Sequence, residues 1–184
     1  MKRIVTICFI LIFCLWFLSL NALCKDPVLS FRLVHPDHNK LSHVSKSVAQ
    51  VDTNRYELFI SNNEHYWVDR AIELDIKDFK DAKILEMVRY SPKKNWEMRE
   101  VTSPVPPDSS LVVLLVLSKN GQEKIKDLTK NNINRRMAII YNNKLLMAPL
   151  ILETITGDSF SIADISFIEA QALKNEIKST NNAF

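Results

Sequence analysis

Five residues, Met137-Ala138-Ile139-Ile140-Tyr141, lead into Asn142-Asn143, and the chain continues as Lys144-Leu145-Leu146-Met147. Two β-prone runs separated by two residues that tolerate positive φ close as a tight antiparallel hairpin. This hairpin is the centre of the stretch Leu128 to Leu173, around which the chain is organised. After Ala148-Pro149, Ile155-Thr156-Gly157-Asp158 reads as a turn and Ser159 to Ile162 as a short strand. Ser166-Phe167-Ile168-Glu169 has the form of a capping box, with Ile165 and Ala170 placed as a weak staple.

Upstream, Leu111 to Leu117 is an unbroken apolar run of seven residues. It is far too short to span a bilayer, and it fits a central strand buried on both faces. Ser118 can cap a helix from Lys119 to Lys130, with Ile125 and Leu128 turned inward. Gly121 within that helix costs about 1 kcal/mol relative to Ala. Arg135-Arg136 reads as a solvated lead into the hairpin. The last helix should start at Phe167 and hold to about Ser179, with Ser179 to Phe184 frayed.

In the first half the signals are weaker. Val28 to Val34 reads as a strand and Leu41 to Gln50 as a short helix or irregular link. Tyr56 to Ile60 reads as a strand broken by Ser61-Asn62-Asn63, and His65-Tyr66-Trp67 as an aromatic core edge. Asp75 can cap a short helix over Ile76 to Ala82. Ile84 to Tyr90 and Trp96 to Val101 form an expected antiparallel pair. Thr102 to Ser110, with Pro104, Pro106 and Pro107, is an exposed loop. Irregular alternation with antiparallel hairpins implies an α+β fold: a mixed, mostly antiparallel sheet with helices packed on one side.

Composition bounds the function. The chain has 184 residues and two glycines, Gly121 and Gly157, which excludes a glycine-rich phosphate loop. Met1-Lys2-Arg3 followed by Ile4 to Leu20 without charge has the form of a secretory signal or an N-terminal anchor within residues 1–22. Cleavage after Ala22, retention as a membrane anchor through residues 4–20, and lipidation at Cys24 are the three outcomes considered. All place residues 23–184 outside the cytoplasm as one domain. Without residues 1–22 the formal net charge of +3 loses Lys2 and Arg3 and becomes +1. A near-neutral domain is not a nucleic-acid binder. Cys8 and Cys14 lie in the apolar run, so Cys24 would be the one thiol left and no internal disulfide could form.

His35, His38 and His43, with Asp37, are the candidate metal loop. Pro36 interrupts helical placement there and no second cluster supports it, so a polar loop is expected. Neither a catalytic constellation nor a cofactor site is expected, and the binding surface is left unassigned.

This order of residues resembles the head subdomain in the first periplasmic domain of the SecD and SecDF protein-export proteins. The family pattern is a helix ending in Thr, a Gly-x-x-Leu-Ala-Ile strand, a short turn and a strand into Ser-Ala-Pro. An Ile-x-x-Gly turn, an Ile-x-Gly strand and a Glu-Ala-containing helix follow. Thr129, Ala138-Ile139, Ala148-Pro149, Ile155, Gly157, Ile162 and Glu169-Ala170 fall on it. Asn134 stands where the family has its first Gly, Asn142-Asn143 replaces Asp-Gly, and Asp158 and Ala163 stand at two further Gly positions. The segment Ile76 to Ala82 is also similar to one that precedes a strand in the family. The resemblance is best supported over 110–178.

It implies a non-enzymatic, extracytoplasmic accessory or binding module of Sec-dependent export, without a proton-coupled membrane part of its own. Its implied partners are unfolded or translocating polypeptide, or Sec translocon components. The alternative is an envelope protein that reuses the fold to bind a folded partner. A metal binder or enzyme built on the His35–His43 loop is a third reading.

Overall fold

The computed structural model describes residues 28–36, 51–90, 95–105, 110–163 and 165–183, without side chains for 88–90 and 95–97. The expected signal or anchor, Cys24, the Leu41–Gln50 segment, and Asp37, His38 and His43 lie outside the described residues.

Among the described residues ten strands and two α-helices follow in order. They are β1 Leu29–Leu33, β2 Tyr56–Ser61, β3 Glu64–Asp69, β4 Leu74–Asp75, β5 Phe79–Tyr90, β6 Asn95–Glu100 and β7 Ser110–Leu117. Helix α1 Lys119–Asn131, β8 Met137–Tyr141, β9 Lys144–Met147, β10 Ser159–Ala163 and α2 Phe167–Asn182 complete the series. The class is α+β as expected. The strands are divided among three sheets, β4-β1-β8-β9, β10-β7-β5-β6 and the hairpin β2-β3. All strand pairs among the described residues are antiparallel.

The first sheet is buried on both faces. Leu29, Phe31 and Leu33 of β1 and Met137, Ile139 and Tyr141 of β8 enter the main core, beside Phe79, Val113, Leu115, Leu173 and Ile177. The alternate side chains Val34, Ala138 and Ile140, with Leu145 of β9, form a second core under Phe59 of β2 and Tyr66 of β3. Burial on both faces is why β1 and β8 read as runs rather than as alternation. β7 lies between β5 and β10, the central position its seven apolar residues imply.

Both expected helix caps form. Ser118 Oγ accepts from the Gly121 N–H, and Ser166 with Glu169 makes a reciprocal capping box. Every described residue with positive φ is an asparagine: Asn62, Asn63, Asn134, Asn142 and Asn143. Asparagine is the side chain that best tolerates the left-handed region after glycine. It therefore keeps the backbone at the two sites, 134 and 142–143, where the resembling family has glycine.

Three expectations are corrected. The helix expected over Ile76–Ala82 is a single 3-10 turn, Ile76–Asp78, capped by Asp75 as foreseen. Phe79 then turns extended and β5 begins, because Phe79 and Ala82 pair with Leu117 and Leu115 of β7 around an irregularity between Phe79 and Asp81. Ladder formation with the central strand outweighs a helical period of seven residues. The end of α2 is not frayed before Asn182: Asn181 Nδ2 donates to the carbonyls of Phe79 (3.2 Å) and Lys80 (3.0 Å), which ties the helix to β5. Gly121 is also more than a helix-weakening residue. The Asp78 carbonyl approaches so closely that a Cβ at 121 would lie 2.1 Å from it.

Candidate functional site

Among the described residues β2 pairs with β3 alone and β9 with β8 alone, so within that set each keeps one unpaired edge. Between them lies a cleft of about 680 Å³. Its walls include four consecutive residues of β2, Glu57-Leu58-Phe59-Ile60, and three at the hairpin tip, Asn143-Lys144-Leu145. Successive residues of a strand point to opposite faces, so a run of four along one wall means the cleft follows the edge of β2 rather than a face. Such an edge carries backbone N–H and C=O groups without ladder partners.

Charge is concentrated at one side. Arg32, on β1, is 6% exposed. Its Nε donates to Ser30 Oγ at 3.1 Å, and its Nη1 pairs with Glu57 Oε1. Arg70 Nη1 donates to the other oxygen, Glu57 Oε2, at 3.3 Å. Two guanidiniums thus share one carboxylate. The rim is apolar: Leu58, Ile60 and Ile72 line the cleft and are exposed.

The hairpin tip is fixed from below. Lys144 Nζ donates to Glu169 Oε1 at 3.0 Å, so the cleft wall is joined to the cap of α2. That Lys144 contact, followed by the hydroxyl and backbone N–H of Ser166, holds the Glu169 carboxyl below the usual carboxylate range. Deeper in, burial and then the nearby Glu176 carboxylate push the Tyr141 phenol up to about 12. The Tyr141 hydroxyl and Glu176 Oε2 are buried, and among the described residues neither has a hydrogen bond of ordinary geometry.

Residues singled out in the sequence fall into place differently. Arg135 donates to Asn132 Oδ1 (2.7 Å) and the Val34 carbonyl (3.2 Å), and Arg136 donates to the Ala148 carbonyl (2.7 Å). The pair is partly buried and closes the base of the hairpin rather than standing solvated. The His35 ring meets Tyr56 edge-on at 4.7 Å. Among the described residues no group of three or more His, Cys, Asp or Glu could hold a metal. No helix among them is long and apolar enough to cross a membrane.

The cleft was not read from the sequence. One available signal was Asn62-Asn63, which takes positive φ at both residues, as Asn142-Asn143 does, and so joins β2 to β3 as a second hairpin.

Comparison with known proteins bears out the resemblance. Residues 97–180 match the family model described as SecDF, P1 head subdomain. The protein translocase subunit SecD of Treponema pallidum (strain Nichols) is 41% identical over 68 residues, which is 37% of this chain and 12% of that protein. SecD of Petrotoga mobilis (strain DSM 10674 / SJ95) is 36% identical over 74 residues, 40% of this chain and 16% of that protein. The chain therefore spans a small fraction of the length of these relatives. The solved structure of SecDF, a membrane component that enhances protein export, superposes with a TM-score of 0.50 at 20% identity. It covers 84% of this chain and 63% of that one, a likeness of fold. Arg32, the β2 residues Glu57 to Ile60, Arg70 and Ile72, which line one side of the cleft, precede the matched residues, whereas Asn143-Lys144-Leu145 lie within them.

Proposed function

We propose that this chain, whose residues 97–180 match the SecDF P1 head subdomain model, is an extracytoplasmic binding module of Sec-dependent protein export. In this reading it is not an enzyme. A secretory signal or a retained anchor in residues 1–22 delivers residues 23–184 to the periplasm or cell envelope. There the domain engages translocating polypeptide, or Sec translocon components, without chemistry of its own.

The observation that carries the reading is the pair of strand edges, β2 and β9, unpaired among the described residues, on either side of one cleft in a chain similar to this family. An extended polypeptide can add to such an edge through main-chain hydrogen bonds, which are independent of sequence. A binder that must accept many different unfolded chains needs that independence.

In-cell photocrosslinking tests it. Probes at Leu58, Ile60 and Lys144 lie on the cleft, and a probe at Met98, exposed on β6, lies on another sheet. Secreted preproteins or translocon subunits captured from the cleft positions, and not from position 98, are the expected result. Capture of one folded envelope protein in stoichiometric amount would replace this reading with that of a repurposed fold.

A further inference from the structure

We infer that the cleft selects extended segments that place a carboxylate between apolar side chains, with Arg70 as the residue that receives the carboxylate. The inference rests on the reading that the cleft takes polypeptide, and it adds the chemistry of the segment.

The first argument is the balance of charge. Arg32, Arg70, Lys144 and Glu57 are the charged residues on the walls. Lys144 is held by Glu169. The remaining three comprise two cations and one anion, so a second carboxylate would complete the set.

The second is geometric. Arg32 is buried and pairs with Glu57, and this fixes the Glu57 carboxylate in place because a buried guanidinium cannot be left without its counter-charge. Arg70 is the more exposed partner. Its side chain is 53% exposed and reaches Glu57 through one long contact of 3.3 Å. A guanidinium offers five N–H donors in a rigid fork, suited to a bidentate carboxylate. Most of the Arg70 fork is therefore available on the cleft side.

The third is the setting. Leu58, Ile60 and Ile72 are exposed around the charged group and would cover the neighbours of an acidic residue in an extended strand. A lysine at the same point would face two guanidiniums, and a glutamine would lose the charge-assisted bond.

The test uses the purified chain and three short, fluorescently labelled peptides of one extended Val/Thr-rich sequence, with Glu, Gln or Lys at the central position. Fluorescence anisotropy at low salt is expected to show the Glu peptide binding about tenfold tighter than the Gln peptide, and the Lys peptide weakest. Arg70→Ala should abolish the difference between Glu and Gln. Arg70→Glu should move the preference to the Lys peptide. Equal binding of the Glu and Gln peptides to the unaltered protein would overturn the charge selection and leave the polypeptide reading standing. No binding of any of the three would overturn both.

Discussion

Replacing Gly121 by Ala sets two opposed effects against each other in the first turn of α1. In a helix interior, Ala is favoured over Gly by about 1 kcal/mol, so helix propensity alone makes Gly121→Ala stabilising. The packing opposes it. The new Cβ would stand 2.1 Å from the Asp78 carbonyl oxygen, 3.1 Å from its carbon and 3.2 Å from the Asp78 Cβ. Relief requires Asp78 to move, and Asp78 is 1% exposed. Its carbonyl accepts from the Ser118 N–H at 2.8 Å. Its carboxylate accepts from Asn120 Nδ2, Lys124 Nζ and the Asp75 N–H. A shift of the 3-10 turn would strain four hydrogen bonds at once. Overpacking of this kind costs about 1–3 kcal/mol, and a backbone collision belongs at the upper end. Subtracting the helix gain leaves a net loss of about 2 kcal/mol, which for a domain of this size lowers Tm by about 4–8 °C. Urea denaturation followed by far-UV circular dichroism measures it, with the m-value expected to be unchanged. Gly157→Ala is the control: its nearest neighbour, the Ser159 carbonyl oxygen, is 3.9 Å away, so the change should stay within about 0.5 kcal/mol. A Gly121→Ala protein as stable as the parent or more so would refute the reasoning.

Thr129 is fully buried, donates to the Ile125 carbonyl at 2.7 Å and accepts from the Ile155 N–H at 2.9 Å. Thr129→Val keeps the shape but leaves that N–H unpaired, so chemical denaturation should show a loss of about 1–3 kcal/mol, while Thr129→Ser should retain most of the stability. Asn143 sits at φ 59, so Asn143→Gly should be neutral or stabilising by thermal melt, and Asn143→Val should destabilise by about 1–2 kcal/mol. Tyr141 has a folded-state pKa raised from 10.0 to about 12. Its contribution to stability is whole below pH 10 and declines as pH rises towards 12. Tyr141→Phe should flatten that alkaline decline in a series of melts. Glu169 is shifted in the other direction, so its contribution is present above the ordinary glutamate range and is lost on acidification through its lowered pKa. Glu169→Gln should remove that part of the acid sensitivity.

Local chemistry made much of the fold legible. The 137–147 hairpin, the caps at Ser118 and Ser166, the Asp75 cap and the central β7 run are all signalled within a few residues of where they act. The misses have a common cause in distance. Nothing near Leu29–Leu33 indicates that its partner is Met137–Tyr141, so three sheets could not be told from one. Nothing near Ile76 indicates that Leu117 will draw Phe79 into a strand. Gly121 reads as a weakness until Asp78 is placed against it. The cleft is the extreme case, because Arg32 and Glu57 meet across sheets and the facing wall comes from the hairpin tip. Its polar residues look like ordinary surface positions in the sequence.

The partnership of β1 with β8 also governs when this domain can become a domain. All five residues of β1 are buried, and their principal ladder is with a strand near the other end of the chain. A polypeptide delivered amino end first presents β1 as a bare apolar strand until Met137–Tyr141 has followed it. Loop closure of that span must precede most of the reward, so folding is slow and the strand stays open to proteases and to other sticky chains meanwhile. The second sheet can begin earlier, since β5, β6 and β7 follow one another closely. The cleft forms only after Asn143-Lys144-Leu145 have followed, because these come after every residue of its other wall. A binding surface assembled in that order is missing from chains that have not yet delivered residues 143–145, and binding activity during folding would report closure of the hairpin onto β2 rather than early collapse.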